Sequence, residues 1–427
     1  MVRGQANDQA SEQSRLRRDV GWNLVPVVLL AGVGLGLNFL IGGWWGEGAL
    51  GTFTLVTSAL FAFAVLGACG LQFSALRAIA EHPGDRDRVA TIAVGALIPT
   101  VVTAAATTLL FVAVRGPVGD LLANPAVGKG MLWAAPGLFC FAVNKVLLGI
   151  INGLRRMRAF AVYTSLRYSL IAVGLVLARL WDLDADQLPV VWTFTEGVLL
   201  VVLGCELVLQ VPLARGKGWP GWTSRHLSYG LRGVLATLAF EVNSKLDIWM
   251  LGVALPESAV GIYSMASALN EGAMQLAVVL QNNLNPVIAR DLAAGRTAEV
   301  ETLVRRTRRW FVPAMVAMCA LGAAIYPLVI PWLIGNHAFI AGAAPFAIMM
   351  AGLALASPYL PFSQTLLMAS RPGWNTIYML AIIGVNFVCN WLLIPVLGLS
   401  GAAIAISAAV VTSALLLRVL VRWRLGL

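Results

Sequence analysis

Long apolar stretches separated by short polar segments run through almost the whole chain. Twelve of them have the length of a membrane-spanning helix, which needs about 20 residues. The predicted spans are 22–44, 49–71, 90–114, 131–152, 159–180, 188–211, 231–254, 258–285, 310–333, 340–368, 374–395 and 399–420. This pattern predicts an all-α polytopic membrane protein with twelve transmembrane helices.

A weak internal repeat divides the spans into two sets of six. Residues 50–55 (LGTFTL) open the second span, and residues 260–265 (VGIYSM) open the eighth at an offset of 210. Six spans separate the two segments, so both enter the membrane in the same sense, as in a parallel repeat. The alternative is a coincidence, since glycine beside an aromatic residue is common at span starts.

The repeat predicts two six-helix lobes around a central cavity. The expected divisions are a cytoplasmic tail at 1–21, an N-terminal lobe at 22–211, a cytoplasmic linker at 212–230 and a C-terminal lobe at 231–427. Every gap between spans is too short for a globular domain.

The 30 Lys and Arg residues follow the same alternation. Nearly all lie in the two tails and in every second gap, and basic residues mark the cytoplasmic side of a membrane protein. Both termini are therefore predicted to be cytoplasmic, in the inner membrane of a bacterium. The net charge of +10 is explained by this bias and by anionic lipid headgroups, without nucleic acid as a partner.

Composition and motifs exclude most membrane enzymes. The hydrophobic fraction is 59% and the mean hydropathy is +0.82. A soluble domain could not bury that much apolar surface away from water. The three histidines, His82, His226 and His337, all lie in gaps, and the chain has no phosphate-binding GxxxxGK[ST] loop. We therefore expect no catalytic residue, no metal and no cofactor, and the remaining function is transport.

Charged residues inside spans are the candidates for that function, because each costs about 2.5–3.5 kcal/mol at a helix centre. The seventh span has the most. One polar face of this predicted helix carries Glu241, Asn243, Ser244, Lys245 and Asp247. That face predicts the wall of a wet cavity, and the alternative is a salt bridge that fastens two helices.

The eighth span carries a second polar stripe at helical spacing. The stripe consists of Ser264, Ser267, Glu271, Gln275, Asn282 and Asn285. A stripe that runs most of a span with a carboxylate at its middle predicts another cavity wall. The alternative is that these hydroxyls and amides hold neighbouring helices together.

The first half of the chain contributes Lys145, beside Asn144, and Arg167. Cations inside a cavity indicate an anionic cargo, and arginine in particular binds phosphate through its planar fork of donors. For Arg167 the alternative is a side chain that reaches back to the cytoplasmic headgroups. Glu196 and Glu206 lie nearer the span ends, where a structural role is as consistent as a functional one.

Two segments resemble a known family. Residues 243–252 (NSKLDIWMLG) with 260–266 (VGIYSMA) are similar to the seventh-to-eighth helix region of polysaccharide-biosynthesis flippases. Residues 390–405 (NWLLIPVLGLSGAAIA) resemble their eleventh-to-twelfth helix turn, with Pro395 and Gly398 breaking the helix. These flippases belong to the multidrug/oligosaccharidyl-lipid/polysaccharide exporter superfamily.

The resemblance implies a bilobed flippase that works by alternating access. Its cargo would be a polyprenyl-diphosphate-linked oligosaccharide, moved from the cytoplasmic to the external leaflet for cell-surface or exopolysaccharide assembly. Membrane lipids, a coupling H+ or Na+, a polysaccharide polymerase and other pathway proteins are the implied partners.

The same resemblance assigns roles to the intramembrane residues. Lys145, Arg167 and Lys245, with Asn144 and Asn243, would contact the cargo. Glu241, Asp247 and Glu271 would balance these cations or carry the coupling ion. The residues Ser264, Ser267, Gln275 and Asn282 would line the cavity.

Four other functions remain as alternatives. Lipid II flippases of the superfamily usually have fourteen spans and several cavity arginines, so peptidoglycan precursor is a less suitable cargo. A cation-coupled multidrug exporter would favour an acidic and aromatic cavity, against the cations present here. A membrane-embedded polymerase is disfavoured by the short external gaps, and a scaffold would not need a charged midplane.

Overall fold

The computed structural model describes residues 34–425. The predicted tail at 1–21 and residues 22–33 of the first predicted span lie outside the described residues. Between residues 34 and 425 the chain forms helices and no strands. Three short 3-10 segments interrupt the α-helices, at Leu213–Arg215, His337–Gly342 and Leu360–Phe362.

Sixteen α-helices cover this part of the chain, the first of them described from residue 34. They are α1 (34–44), α2 (Gly46–Ala68), α3 (Leu71–Ala80), α4 (Arg86–Ala113), α5 (Arg115–Leu121), α6 (Pro125–Gly153), α7 (Met157–Leu180), α8 (Val190–Gln210), α9 (Trp219–Ser244), α10 (Leu246–Ala254), α11 (Glu257–Ala293), α12 (Thr297–Ile334), α13 (Ala343–Ala356), α14 (Thr365–Met368), α15 (Pro372–Leu397) and α16 (Leu399–Leu425).

Each predicted span overlaps at least one of these helices. Among the described residues, nine helical segments are long and apolar enough to cross a membrane. Three predicted spans are not among the nine. They are α1, of which only residues 34–44 are described, the α9–α10 pair, and α11, whose polar stripe lowers its mean hydropathy. The prediction of an all-α polytopic membrane protein is confirmed.

The seventh span is broken at its polar centre, so the prediction of one continuous helix there is wrong. Helix α9 ends at Ser244 and α10 begins at Leu246, because Lys245 has φ −127° and ψ 14°. The break places Asp247 in the first turn of α10, where a carboxylate interacts favourably with the helix dipole.

The tenth span also ends earlier than predicted. Helix α13 stops at Ala356, and a 3-10 turn and the short α14 follow instead of a helix to residue 368. Pro358 and Pro361 lie in this segment, and proline removes the backbone N–H that a continuing helix needs. The irregular segment from 357 to 364 therefore lies where the sequence pattern indicates regular helix.

The chain divides into two compact units. The first contains residues 55–244 together with the described residues up to Leu37, and the second contains Asn38–Thr54 and the chain from Lys245 onward. Helix α9, which covers much of the predicted linker 212–230, belongs to the first unit. The lobe boundaries expected from the repeat stay a prediction.

Helix α6 is the centre of the first unit. It packs against α3, α4 and α8 and is buried along most of its length. Gly137 lets α8 approach closely: its backbone N–H donates to Thr193 Oγ1 at 3.1 Å, and a Cβ there would lie 2.7 Å from the Thr193 nitrogen. The same packing brings Asn144, two turns after Gly137 on α6, into contact with Glu196, three residues after Thr193 on α8.

Candidate functional site

Arg167 and Glu196 form a buried ion pair between α7 and α8. Arg167 Nε lies 2.6 Å from Glu196 Oε1, and Nη2 donates to Oε2 at 3.1 Å. The two side chains are 13% and 0% exposed. The sequence left Glu196 open between a structural and a functional role, and the structure makes it the direct partner of the first-half arginine.

Asn144 of α6 completes the coordination of this carboxylate. Its Nδ2 donates to Glu196 Oε2 at 2.8 Å and to the Glu196 carbonyl oxygen at 2.9 Å. Asn144 is fully buried, and its Oδ1 has no hydrogen-bond donor among the described residues. Asn144 thus orients Glu196 through these two hydrogen bonds, and we describe it as a positioning residue for the ion pair.

One aromatic ring joins the two cations of this region. Lys145 Nζ lies 5.2 Å from the centre of the Phe141 ring, and the Arg167 guanidinium carbon lies 4.7 Å from it. Both distances are within cation–π range. We call Phe141, Asn144, Lys145, Arg167 and Glu196 the cationic cluster.

Lys145 is the less neutralised of the two cations. Among the described residues it forms no ion pair, although Glu241 of α9 attracts it electrostatically. Its side chain is half-buried in the membrane-spanning part of α6. A half-buried ammonium without a carboxylate in contact is suited to bind an anion, because no existing ion pair has to be broken when the anion binds.

Sequence reasoning missed Phe141 as a functional residue. A usable signal was present, because Phe141 precedes Lys145 by four residues and therefore lies beside it on α6. Phe61 and Trp192 pack against the same ring, with centroids 5.5 and 6.4 Å away. The ring is thus held rigidly between the two cations and the aromatic core of this unit.

Glu206, the other carboxylate left open by the sequence, pairs with Arg156 at the start of α7. Their side chains are 15% and 39% exposed. Arg156 and Glu206 connect α7 and α8 near the end of the unit that is rich in arginine. This pair fastens two helices and shares no residue with the cationic cluster.

In the second unit, Lys245 and Asp247 each find a partner on α11. Lys245 Nζ donates to Glu271 Oε1 at 2.8 Å, and Tyr263 donates its hydroxyl to Asp247 Oδ2 at 2.6 Å. We call these four residues the Lys245 cluster. The Asp247–Tyr263 half is buried, whereas Glu271 is 54% exposed.

The polar stripe of α11 splits into a buried and an accessible part. Ser264 and Ser267 are buried, and the Ser264 hydroxyl donates to the Val260 carbonyl oxygen at 2.7 Å. Gln275 is half-exposed and Asn282 is exposed. The role of these four residues as cavity lining stays a prediction.

Glu241 and Asn243 lie on the last turns of α9, just before the break. Both are half-buried, and Asn243 Oδ1 has no hydrogen-bond donor among the described residues. Their predicted roles in charge balance and cargo contact stay predictions. Between residues 34 and 425, no group of His, Cys, Asp and Glu side chains is placed to hold a metal ion.

The sequence matches a family described as "Polysaccharide biosynthesis protein" over residues 16–290, which is more than half of the chain. The matched region includes 243–252 and 260–266, on which the resemblance partly rests, and it ends before 390–405. No curated protein matches the sequence.

Several solved structures share the fold. A multidrug resistance MATE family transporter of the MOP superfamily, in an inward-facing conformation, has a TM-score of 0.78 and 15% identity, with 96% of this chain and 98% of that chain covered. The lipid II flippase MurJ, in an inward closed conformation, has a TM-score of 0.76 and 12% identity, with coverages of 94% and 87%. A MOP superfamily transporter from Pyrococcus furiosus, described as having a binding pocket of reversed polarity, has a TM-score of 0.60 and 16% identity, with coverages of 96% and 95%.

Proposed function

The chain belongs to the polysaccharide biosynthesis protein family, and we propose that it is a flippase for a polyprenyl-diphosphate-linked oligosaccharide. Its fold is that of MOP superfamily flippases and transporters, and it is a multi-pass membrane protein. The cargo, the direction from cytoplasmic to external leaflet and the alternating-access mechanism belong to the proposal.

The cationic cluster is the observation that carries the proposal. It keeps two cations inside the membrane-spanning part of one unit, and among the described residues a single carboxylate, Glu196, is in contact with them. Placing charges of one sign inside a membrane costs free energy, and such residues usually have a function. A diphosphate is a suitable ligand, because it is polyanionic and accepts hydrogen bonds from both ammonium and guanidinium groups.

Within this cluster the residues have distinct roles. Lys145 supplies the mobile charge that contacts the diphosphate. Arg167 is held in place by Glu196 and the Phe141 ring, and it offers its remaining donors to the same anion. Glu196 keeps Arg167 oriented and lowers the net charge, so that the cargo is released again after transport.

The Lys245 cluster is suited to couple transport to an ion. Glu271 is half-exposed and holds Lys245 through a direct hydrogen bond. Protonation of Glu271, or binding of Na+ to its carboxylate, would weaken its ion pair with Lys245 and make the ammonium more available to the cargo. Asp247, which is buried against Tyr263, would balance the positive charge of this region.

We place the protein in the inner membrane of a bacterium, with both termini cytoplasmic. The arginine-rich gaps support this orientation through the positive-inside rule. The lipid bilayer, the pathway's polysaccharide polymerase and its other synthesis proteins would be its partners, and exopolysaccharide or another surface glycan its end product.

A lipid extract from cells that lack the protein tests the cargo. Mass spectrometry of polyprenyl-diphosphate glycans should show an accumulated species that is absent from the wild type and disappears when the gene is restored. The mass of that species identifies the glycan. An unchanged lipid pool would refute the proposal.

A cation-coupled multidrug exporter is the second candidate, because a MATE family transporter shares the fold over nearly the whole chain. Cells that lack the protein would then become more sensitive to cationic drugs, with no change in their lipid-linked glycans. The cations of the two clusters argue against this reading, since they would repel such drugs.

A further inference from the structure

A cavity of about 380 Å³ lies at the arginine-rich end of the second unit. Its walls come from α11, the beginning of α12, the irregular segment after α13 and the last turns of α16. It shares no residue with the cationic cluster or the Lys245 cluster. Four arginines line it, and we call it the arginine cavity: Arg305, Arg308, Arg418 and Arg422.

Two contacts hold the Arg308 side chain in the wall of the cavity. Its Nε donates to the Pro358 carbonyl oxygen at 2.7 Å, and its guanidinium carbon lies 4.2 Å from the centre of the Tyr359 ring. The early end of α13 makes both contacts possible, because a continuing helix would keep the Pro358 carbonyl for itself. The terminal nitrogens of Arg308 are thus preorganised as donors.

The cavity as a whole is strongly positive, because its four arginines outnumber its acidic residues. The single acidic lining residue, Glu301, lies 3.6 Å from Arg305 and offsets that one charge. Arg418 and Arg422 form no ion pair or hydrogen bond among the described residues. They are four residues apart on α16, a spacing at which like charges repel and destabilise the helix. An anion between them would remove this repulsion.

The rest of the lining is apolar. Ile288, Val300, Phe362 and Leu417 are buried residues of the hydrophobic core of this unit, and they form the floor of the cavity. A free phosphate would leave such a floor uncovered. A ligand with a phosphate headgroup and a hydrocarbon chain would match both parts of the lining.

Tryptophans indicate that this end of the unit lies at membrane-interface depth. Trp374 and Trp423 pack edge to face with ring centroids 5.3 Å apart, and Trp423 and Trp310 are largely exposed. Tryptophan is enriched where headgroups meet hydrocarbon. Trp423 is the neighbour of Arg422 on α16, and Trp310 follows Arg308 by two residues on α12.

We propose that the arginine cavity binds an anionic phospholipid of the adjacent leaflet. The phosphodiester lies between Arg308, Arg418 and Arg422, and the acyl chains leave over the apolar floor toward the exposed face of α16. The volume is within the range of about 300–1,000 Å³ that is usual for ligand pockets. This lipid is separate from the transported cargo, so the site exists whatever the protein moves.

The test uses the purified full-length protein in a non-ionic detergent, with phosphatidylglycerol, phosphatidylcholine and inorganic phosphate as probes. Binding is followed by native mass spectrometry and by the shift in melting temperature that a ligand of the folded state produces. Phosphatidylglycerol should bind, whereas phosphatidylcholine, of no net charge, and phosphate, which lacks the chains, should bind far less.

The variant R418Q/R422Q should lose phosphatidylglycerol affinity by about tenfold for each arginine. The matched control is R306Q/R309Q, which removes the same charge from exposed arginines of α12 that do not line the cavity. The control should bind like the wild type. If R418Q/R422Q melts lower without lipid, the single variants R418Q and R422Q replace it.

Three results would overturn the proposal. Equal losses in the two double variants would mean that lipid binds by charge alone, without a site. Equal binding of phosphatidylcholine would remove the role of the arginines. Inorganic phosphate with the same affinity as phosphatidylglycerol would make this a site for free anions.

Discussion

Gly51 and Gly261 lie against each other where α2 crosses α11. The two glycines are equivalent positions of the predicted internal repeat, 210 residues apart. A methyl group at Gly51 would overlap the Glu257 carbonyl oxygen, and one at Gly261 would overlap the Glu47 carbonyl oxygen. Glu47 and Glu257 are separated by the same offset of 210 as the two glycines. A reciprocal contact of this kind is what an internal repeat produces.

We expect Gly51→Ala and Gly261→Ala each to lower the melting temperature. The added methyl group meets backbone atoms that cannot move without separating the helices, and overpacking of this kind costs about 1–3 kcal/mol. Gly48→Ala on the same helix is the control, because its nearest neighbour is the flexible Glu257 side chain at 3.6 Å. Equal melting temperatures for all three variants would show that the crossing tolerates a wider spacing.

The Arg167–Glu196 pair should behave as one unit in a double-mutant cycle. Glu196→Gln and Arg167→Met each leave a charge without its partner, and breaking a buried pair costs about 3–5 kcal/mol. The double variant should melt higher than the worse single variant. Additive losses in melting temperature would mean that the two residues do not interact in the folded protein.

Lys145→Met should reduce transport by at least about tenfold, because a hydrogen bond to a charged group is worth about 1.5–3 kcal/mol. The purified variant should remain as stable as the wild type, since Lys145 has no ion pair to break among the described residues. Accumulation of the lipid-linked glycan in cells measures the loss.

Lys129→Gln is the matched control for this experiment. Lys129 lies on the same helix and makes a surface contact of 3.4 Å with Asp186. Exposed pairs of this kind are worth little, about 0–1 kcal/mol. Transport should stay normal in this variant, and a loss as large as that in Lys145→Met would point to an unspecific effect of charge on α6.

Lys245→Ala should abolish export at normal protein levels. It removes the ammonium that Glu271 holds at 2.8 Å, and with it the switch that we propose for ion coupling. Glu271→Gln should give transport that no longer depends on the proton or sodium gradient. Full activity of Lys245→Ala would remove this residue from the mechanism.

His226, which lies outside the predicted spans, should make stability depend on pH. Its ring accepts or donates a hydrogen bond with Ser74 Oγ at 2.7 Å, and burial lowers its pKa below the ordinary histidine value. The unfolded chain therefore binds a proton before the folded one does. The stability of the fold should fall as the pH drops below about 6.5.

Melting temperatures between neutral and mildly acidic pH check this prediction. The wild type should lose stability over that range, and His226→Gln, which cannot titrate, should show a smaller slope. The same slope in both proteins would assign the pH dependence to other groups.

Much of the architecture follows from local pattern alone. The hydropathy of the chain predicts the spans and the all-α membrane fold, and the described residues confirm it. Segments 243–252 and 260–266 indicate the family through short motifs, and the family match confirms that too. The intramembrane cations Lys145, Arg167 and Lys245 were visible for the same reason: a charge in an apolar run is conspicuous in the sequence itself.

The tertiary structure decided which of these charges are neutralised. Arg167 and Glu196 are 29 residues apart, and Lys245 and Glu271 are 26 apart, so their pairing depends on how whole helices pack. The backbone break at Lys245 was equally hidden, because hydropathy measures burial and not backbone geometry. Composition therefore determined that cations lie within the membrane, whereas helix packing determined that Lys145 has no carboxylate in contact among the described residues.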